Sequence, residues 1–309
     1  MTTIRFPMPD ELNECLTHPA QVLETAIGPV EYAERGQGPP LFCVHGGPGG
    51  CDQGLALGEI FRVNGFKIIA PSRPGYLGTP LTSGHTPEEQ AEALAALLDA
   101  LHISRLPVIG ASAGGPSSYL LAAKYPDKVT CLIEIDSVCL SYQPDISPLE
   151  EKLYLSKAGI WLVRFFLDHF PAAMVKSFLR TESTLDRHEI AARAQHILQD
   201  AGHFAFLRFL MATMSERLDE RQAGLHNDLL QLAAITELPL AAITCPTLIL
   251  HGTADKDVPP RHAEYAQSAI TGSELYWIPQ GSHVGFWLAD DAPAAQEYAL
   301  SWLWQRMMA

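Results

Sequence analysis

The sequence predicts an α/β protein in which a mostly parallel sheet is flanked by helices. Short apolar runs that end in glycine- or proline-rich loops alternate with longer helical patterns along most of the 309 residues. Such alternation is typical of parallel strands joined by crossover helices. Between residues 141 and 237 the apolar strand-like runs stop, and only helical patterns occur. We therefore expect one core domain, formed by 19–140 and 238–309, with an all-helical cap inserted at 141–237.

Charge and composition narrow the classes of partner. The chain has 21 basic and 35 acidic residues, a net charge of −14, and no run rich in Lys or Arg. Nucleic acid and anionic membrane surfaces are therefore not expected partners. No window of 18 apolar residues predicts a membrane span, and the first ten residues lack a leader pattern. Six scattered cysteines without a C-x-x-C pair indicate free, mostly buried thiols in a cytoplasmic protein. Oligomeric state has no signal in the sequence.

The first half of the chain predicts a hairpin followed by alternating strands and helices. A Gly28-Pro29 turn separates two strand-like runs, which predicts an antiparallel hairpin. Thr86 followed by Pro87 and Glu89 is a capping box that begins a helix. The predicted elements are an irregular polar arm over 1–18, strands over 21–27, 30–34, 40–44, 66–71, 106–109 and 129–135, and helices over 86–101 and 119–124.

A sharp strand-to-helix turn at Ser112 is the first catalytic signal. The apolar run 106–109 leads into Gly110-Ala111-Ser112-Ala113-Gly114, and a helical segment follows. A serine at the apex of such a turn adopts strained backbone geometry, and small residues two positions before and after allow the strand and helix to pass closely. The turn exposes the serine hydroxyl at the carboxyl edge of the sheet. Ser112 is therefore the predicted nucleophile.

A glycine-rich loop over 45–50, His-Gly-Gly-Pro-Gly-Gly, follows the strand at 40–44. It has no G-x-x-x-x-G-K-[ST] lysine and does not satisfy G-x-G-x-x-G, because Asp52 occupies the place of the last glycine. A nucleotide cradle is therefore disfavoured. Acyl transfer needs backbone N–H donors for a developing oxyanion, and the N–H groups of Gly47 and Ala113 are the predicted pair. The His45 ring is expected to brace this loop rather than to perform chemistry.

The second half of the chain predicts helices and then two further strands. Aromatic and methionine side chains of the helical segment are expected to form mostly the cap's own core, with some facing Ser112. These residues are Trp161, Phe165, Phe166, Phe170, Phe204, Phe206, Phe209, Met211 and Met214. The segment around 221–228 is interpreted as a polar cap loop. The predicted helices cover 161–179, 189–199, 204–217, 261–269 and 292–308, and the predicted strands cover 246–250 and 274–278.

Each of these two strands is followed by one polar group suited to activating a serine. A serine hydroxyl needs a histidine to take its proton, and the histidine needs a carboxylate to hold its tautomer. Asp255 and His283 occupy those places. Asp257 is the alternative acid, and His251 and His262 are the alternative bases.

Taken together, four motifs resemble those of the α/β-hydrolase superfamily over about residues 21–308. They are H-G-G-P-G-G at 45–50, G-A-S-A-G at 110–114, H-G-x-x-D at 251–255 with Val-Pro at 258–259, and G-S-H at 281–283. The resemblance implies an α/β-hydrolase fold with a helical cap, a triad of Ser112, His283 and Asp255, and an oxyanion hole at Gly47 and Ala113. It also favours Asp255 over Asp257, because the family's acid lies a few residues before the Val-Pro pair.

These features predict a serine hydrolase that cleaves carboxylic esters or lactones of hydrophobic small molecules, without a metal or organic cofactor. The H-G-G-P-G loop also resembles that of proline iminopeptidases. Those enzymes carry a tryptophan after the nucleophile and a D-Q-R-G-x-G-x-S loop, whereas this chain has Ala113 and S-R-P-G-Y-L-G-T at 72–79. An aminopeptidase, and a receptor-type member that binds ligand with little turnover, are the alternatives.

Overall fold

The computed structural model describes residues 4–144 and 156–308. The strands are β1 Gln21–Thr25, β2 Gly28–Gly36, β3 Pro40–Val44, β4 Lys67–Pro71, β5 Leu106–Ala111, β6 Val129–Ile135, β7 Thr247–Gly252 and β8 Glu274–Ile278. The helices are α1 Pro9–Thr17, α2 Cys51–Leu57, α3 Glu59–Arg62, α4 Pro87–Ala100, α5 Gly115–Lys124, α6 Lys157–His169, α7 Pro171–Glu182, α8 Arg187–Gln199, α9 Ala201–Ser215, α10 Gln222–Ala233, α11 Arg261–Ala269, α12 Gly285–Leu288 and α13 Ala292–Met308.

The eight strands form one sheet in the order β1-β2-β4-β3-β5-β6-β7-β8. β1 pairs with β2, and β2 with β4, in antiparallel fashion, whereas every pair from β4 to β8 is parallel. The prediction of a mostly parallel eight-stranded sheet flanked by helices is confirmed. Because β3, β5, β7 and β8 run in the same direction, the loops that follow them meet at one edge of the sheet.

Apolar side chains on the two faces of the sheet form two separate buried clusters. One cluster includes Phe61, Phe66 and Phe286 and packs against the helices of the chain's two ends. The other packs the alanine- and leucine-rich faces of α4 and α5 against the opposite face. Every residue of strands β5 and β7 is buried. Covering on both faces explains why these strands have continuous apolar runs instead of alternating ones.

The described residues between β6 and β7 contribute no strand to the sheet and form helices α6 to α10. This part of the chain packs on the core, because the Phe206 ring of α9 stacks on Trp287 with ring centroids 5.4 Å apart. Part of the predicted cap, residues 145–155, lies outside the described residues. The division into a core of 19–140 and 238–309 and a cap of 141–237 stays a prediction.

Three local expectations were wrong. The predicted N-terminal arm contains helix α1, which buries Leu12 and Cys15. The helix expected over 161–179 is interrupted at Phe170, whose backbone is non-helical, and α7 begins with Pro171. Proline has no backbone N–H, so at that position it cannot form the hydrogen bond that would continue the helix. The expected polar loop at 221–228 is largely the first part of α10.

The predicted aromatic core of the insertion is only partly present. Phe206 and Phe209 are buried, as expected. Four other aromatics, all on or next to α6, are substantially exposed: Trp161 at 64%, Phe165 at 37%, Phe166 at 38% and Phe170 at 53%. They contact mainly one another through stacked, tilted and edge-on ring pairs. Phe204 and Met211, which are partly buried, also pack against the core, so the predicted set divides between the core and an exposed group around α6.

All six cysteines are buried free thiols. Burial raises the pKa of several of them, for example that of Cys15 to about 12. Among residues 4–144 and 156–308, no helix combines the length and the apolar character that a membrane crossing requires.

Candidate active site

Ser112 lies at the apex of a tight turn between β5 and α5. Its backbone φ is +52°, in the left-handed region that side chains rarely adopt. A Cβ on Gly110 would collide with Ser118 Oγ and lie 2.5 Å from Glu134 Oε2, and a Cβ on Gly114 would lie 2.5 Å from the His45 carbonyl oxygen. Glycine at both positions is therefore what allows strand, serine and helix to pack together.

The three residues predicted to form the triad are joined by hydrogen bonds. His283 Nε2 lies 2.8 Å from Ser112 Oγ, and His283 Nδ1 lies 2.9 Å from Asp255 Oδ2. When Nδ1–H donates to Asp255, Nε2 is left to accept the serine proton. Asp255 is held in turn by the Val258 N–H, which donates to Oδ1 at 2.9 Å. The hydrogen bonds thus run from serine to histidine to aspartate, which is the arrangement that activates a serine nucleophile.

The glycine-rich loop after β3 passes directly over Ser112. A Cβ on Gly46 would lie 3.0 Å from Ser112 Cβ, and one on Gly47 would lie 3.3 Å from Ala113 Cβ. Among the described residues, no acceptor binds the Gly47 N–H. Ala113 lies in the short 3₁₀ helix Ser112–Gly114 that leads into α5. The structure thus brings both predicted oxyanion donors close to the serine.

Comparison with known proteins agrees with this architecture. The family model described as the alpha/beta hydrolase fold matches residues 39–290. The chain belongs to the α/β-hydrolase family.

Several members resemble this α/β-hydrolase over most of its length. The hydrolase YcgS of Bacillus subtilis (strain 168), named as uncharacterized, is 30% identical over 285 residues, which cover 89% of this chain and 95% of YcgS. A solved alpha/beta hydrolase fold protein from Nakamurella multipartita is 38% identical, with a TM-score of 0.89, covering 94% of this chain and 100% of that one. A pimeloyl-[acyl-carrier protein] methyl ester esterase of Neisseria meningitidis serogroup C / serotype 2a (strain ATCC 700532 / DSM 15464 / FAM18) is 27% identical over 232 residues, covering 74% of this chain and 81% of the esterase.

Asp257, the alternative acid, contacts the same histidine on its other nitrogen. Its Oδ2 lies 3.5 Å from His283 Nε2, and its Oδ1 accepts a hydrogen bond from the Tyr142 hydroxyl. Asp255 is therefore the carboxylate that binds Nδ1, as the H-G-x-x-D spacing suggested. Asp257 instead adds negative charge beside His283 Nε2.

The two alternative bases of this α/β-hydrolase form hydrogen bonds with backbone groups, whereas the ring that binds Ser112 Oγ belongs to His283. His251 Nε2 lies 2.8 Å from the Val258 carbonyl oxygen, and His262 Nδ1 accepts from the backbone N–H of Cys139 at 3.1 Å. Burial lowers the pKa of each imidazole to about 4. Both are therefore neutral near pH 7, and they act in holding loops.

His283 has a pKa raised well above its ordinary value of 6.5. Burial alone lowers this pKa, but the charges of Asp255, Asp257 and Glu182 outweigh that effect. Glu182 is the last residue of α7, and burial together with the Asp257 charge raises its own pKa to about 7. Three carboxylates from two parts of the chain thus favour the imidazolium.

The end of α7 contacts the loop that carries the acid. The Glu182 carbonyl accepts from the His283 N–H at 3.1 Å, and Thr184 N–H donates to the Ala254 carbonyl at 2.9 Å. Ser183 forms an isolated antiparallel bridge with Asp255. The end of helix α7 is therefore tied to the loops of both Asp255 and His283, a connection that no local sequence pattern indicates.

Asp136, His251 and Asp255 are a buried trio whose ligand-type atoms lie within 4.8 Å of one another. Asp136 Oδ1 accepts from the Gly252 N–H at 2.8 Å. Asp255 binds His283 and the Val258 N–H, so its two oxygens are already engaged. We assign the trio to holding the acid loop. The expectation of a reaction without metal or cofactor stays a prediction.

Glu134 lies on β6 directly beneath the serine turn, and it is fully buried. Ser118 Oγ donates to its Oε1 at 2.6 Å. Burial raises the pKa of this carboxyl from its ordinary value of 4.5 to about 8. In the folded state Glu134 is therefore protonated at pH 7, whereas in the unfolded chain it is ionised.

Glu134→Gln is expected to flatten part of the pH dependence of stability. Between pH 4.5 and 8 the Glu134 carboxyl holds a proton in the folded state that it has lost in the unfolded state. Its contribution to the free energy of unfolding of the wild type therefore falls by about 1.4 kcal/mol per pH unit. Relative to wild type, the variant should gain about 2–3 kcal/mol in free energy of unfolding between pH 5.5 and 7.5. Urea denaturation at both pH values measures the difference. Glu92→Gln, at a partly exposed surface glutamate paired with Lys124, is the control and should show no such gain. Equal slopes for wild type and Glu134→Gln would contradict the assignment.

Proposed function

We propose that this α/β-hydrolase is a serine hydrolase that cleaves carboxylic esters or lactones of hydrophobic small molecules. The observation that carries the proposal is the hydrogen-bond chain from Ser112 through His283 to Asp255, beneath a loop that presents backbone N–H groups. The esterase of Neisseria meningitidis, a relative over most of the chain, supports the choice of an ester bond.

The first half of the proposed reaction forms an acyl-enzyme. Ser112 Oγ attacks the carbonyl carbon while His283 Nε2 takes the hydroxyl proton, and Asp255 stabilises the resulting imidazolium. The carbonyl oxygen becomes an oxyanion that accepts from the N–H groups of Gly47 and Ala113. Collapse of this intermediate breaks the bond to the leaving alcohol, which receives the proton from His283.

The second half releases the acid. His283 takes a proton from water as the water oxygen attacks the acyl carbon, and the same two N–H groups bind the second oxyanion. Collapse breaks the bond to Ser112 Oγ, which recovers its proton from His283. One water is consumed, and one carboxylic acid and one alcohol are produced.

Labelling with a fluorophosphonate and mass spectrometry tests the nucleophile directly. We expect a single adduct on Ser112, together with turnover of p-nitrophenyl esters. A series from acetate to dodecanoate measures the predicted preference for a hydrophobic acyl group. An unlabelled Ser112 in folded protein that does not hydrolyse esters would overturn the proposal.

An aminopeptidase is the second candidate, because Asp257 and Glu182 place negative charge beside His283, where a substrate ammonium group could bind. A prolyl-anilide run beside the esters separates the two activities. Turnover of the anilide at a higher kcat/KM than any ester would favour the peptidase. One turnover followed by arrest would favour the receptor-type alternative.

The pH profile of kcat/KM is expected to rise tenfold per pH unit on its acid limb, as His283 loses its proton. Because neighbouring carboxylates raise the pKa of His283, the midpoint of this limb should lie above 6.5. Stopped-flow or steady-state rates on a neutral ester between pH 5 and 9 measure it.

Asp257→Asn is the matched variant for that profile. Removing one negative charge beside Nε2 should lower the His283 pKa and move the midpoint toward lower pH. Exposed Asp168→Asn should leave the midpoint unchanged, since Asp168 is paired with Arg208 on the insertion. A flat wild-type profile over this range would rule out His283 as the base.

A further inference from the structure

A buried ion pair lies immediately behind the glycine-rich loop. Arg73, in the loop after β4, donates from Nη1 to Asp228 Oδ1 at 2.9 Å and from Nη2 to Asp228 Oδ2 at 2.6 Å. The two side chains are 1% and 6% exposed. Asp228 belongs to α10, so this two-pronged contact joins the inserted helices to the core. Its location, rather than its contribution to stability, suggests a function, since a buried ion pair is weak evidence of net stabilisation.

The same guanidinium binds the carbonyl groups that precede Gly47. Arg73 Nε donates to the His45 carbonyl at 3.1 Å, and Nη2 donates to the Gly46 carbonyl at 3.1 Å. The Gly46 carbonyl also lies 2.6 Å from His45 Nδ1. Two donors on two side chains therefore fix the direction of this one carbonyl.

That carbonyl and the Gly47 N–H are parts of the same peptide unit. The unit is planar, and a trans peptide points its C=O and N–H in opposite directions. The cis bond in this loop is the next one, Gly47-Pro48. Holding the Gly46 oxygen toward Arg73 therefore aims the Gly47 N–H away from the ion pair.

Tyr76 and Asp228 support Gly47 from the same side. The Tyr76 hydroxyl donates to Asp228 Oδ2 at 2.6 Å. A Cβ on Gly47 would lie 3.0 Å from Asp228 Oδ2 and 3.3 Å from the Tyr76 hydroxyl. An unpaired carboxylate this close to Gly47 would repel an oxyanion bound there, but Asp228 has both Arg73 and Tyr76 as donors. The contacts of Asp228 and Tyr76 thus hold Gly47 in position and at the same time neutralise the Asp228 charge.

We propose that Arg73, Tyr76 and Asp228 are positioning residues of the oxyanion hole, which orient the Gly46-Gly47 peptide for transition-state binding. The proposal rests on acyl transfer at Ser112 as proposed above. It gives α10 of the insertion a role in catalysis that is separate from substrate selection. None of the three side chains reacts or touches the substrate.

Tyr76→Phe is the decisive variant, because it removes one hydroxyl and retains the ring that packs edge-on against His45. Tyr32→Phe is the matched control, since Tyr32 is also buried and its hydroxyl contacts Gln21 at 3.5 Å on the hairpin. For a p-nitrophenyl ester we expect kcat to fall by about 10- to 100-fold in Tyr76→Phe, with KM within about twofold of wild type. Both acylation and deacylation pass through an oxyanion, so the loss appears whichever step limits kcat.

Inhibition by a boronic acid provides a second readout. A tetrahedral boronate on Ser112 resembles the transition state, so its Ki should rise in Tyr76→Phe by about the same factor as kcat falls. The Ki of the product carboxylate should stay unchanged. Asp228→Asn should lose more activity, and Tyr76→Phe keeps the test decisive if Asp228→Asn does not fold.

The outcomes separate this inference from the proposed function. Wild-type turnover with an unchanged kcat and boronate Ki in Tyr76→Phe would overturn the positioning role alone. A rise in KM without a fall in kcat would do the same, because it indicates a contribution to ground-state binding. Failure of wild-type protein to hydrolyse esters or to be labelled at Ser112 would overturn the proposed function, and the positioning role with it.

Discussion

Ser112→Ala is expected to lower kcat for ester hydrolysis by about 10⁴-fold or more while the protein stays folded. The hydroxyl is the group that His283 Nε2 contacts at 2.8 Å, and alanine leaves the imidazole with nothing to activate for attack on the acyl carbon. Alanine also tolerates the turn as poorly as serine does, so no new backbone strain arises. Steady-state rates on p-nitrophenyl acetate, with circular dichroism to verify folding, measure the effect.

Two further variants calibrate this result. His283→Ala should cost about as much as Ser112→Ala, and the double variant should cost little more, because residues that act as a unit are not additive. Ser268→Ala, at an exposed serine of α11, should keep full activity. Folded Ser112→Ala protein that retains more than about a tenth of the wild-type rate would exclude the serine as nucleophile.

Arg221→Met is expected to lower the free energy of unfolding by about 3–5 kcal/mol. The Arg221 guanidinium is fully buried, donates to both carboxylate oxygens of Asp52, and also binds the carbonyls of Gly49 and Glu216. Removing it leaves the Asp52 charge in the interior without its partner. Such an uncompensated charge costs more than the lost contacts themselves.

A double-mutant cycle separates these two costs. Asp52→Leu combined with Arg221→Met removes both charges, so the double variant should be more stable than Arg221→Met alone. Arg217→Met is the surface control, since its pair with Glu220 is about half exposed on both sides and should change stability by less than about 1 kcal/mol. Urea denaturation of wild type, Asp52→Leu, Arg221→Met, the double variant and Arg217→Met gives the values. A double variant less stable than Arg221→Met would refute the role of uncompensated charge.

The serine turn was predictable because its signal is local. Gly110, Ser112 and Gly114 lie within five residues, and the backbone geometry that they permit follows from their own side chains. Asp255 and His283 could be located for a related reason. Parallel strands bring their carboxyl ends to one edge, so a polar residue just after each strand is placed by topology.

The ion pairs behind the glycine-rich loop could not be predicted in the same way. Arg73 and Asp228 are separated by 155 positions, and Arg221 and Asp52 by 169. An isolated charge in a sequence is most often a solvated surface group, and nothing local distinguishes one that will be buried. The polar character of segment 221–228 is visible in the sequence, but its partners lie in loops whose approach depends on the whole fold.

The exposure of the α6 aromatics could not be predicted either, because it also depends on contacts made by the whole fold. Aromatic residues at helical spacing usually face a core, and the buried Phe206 and Phe209 follow that rule. Which face of a helix is covered depends on its neighbours in the fold. Helix α1 shows the converse, because Leu12 and Cys15 have the i, i+3 spacing of a buried face within an otherwise polar stretch.

Because all six thiols are buried, the rate at which each cysteine reacts with a thiol reagent measures local unfolding around it. A thiol reagent can modify Cys15, Cys51 or Cys131 only after α1, α2 or β6, respectively, has separated from its neighbours. The pattern of modified cysteines over time therefore maps which part of the molecule opens first. Because the native thiols are buried, the exposed thiol of a Ser268→Cys variant would react first. A dye or spin label could therefore be attached at that one position.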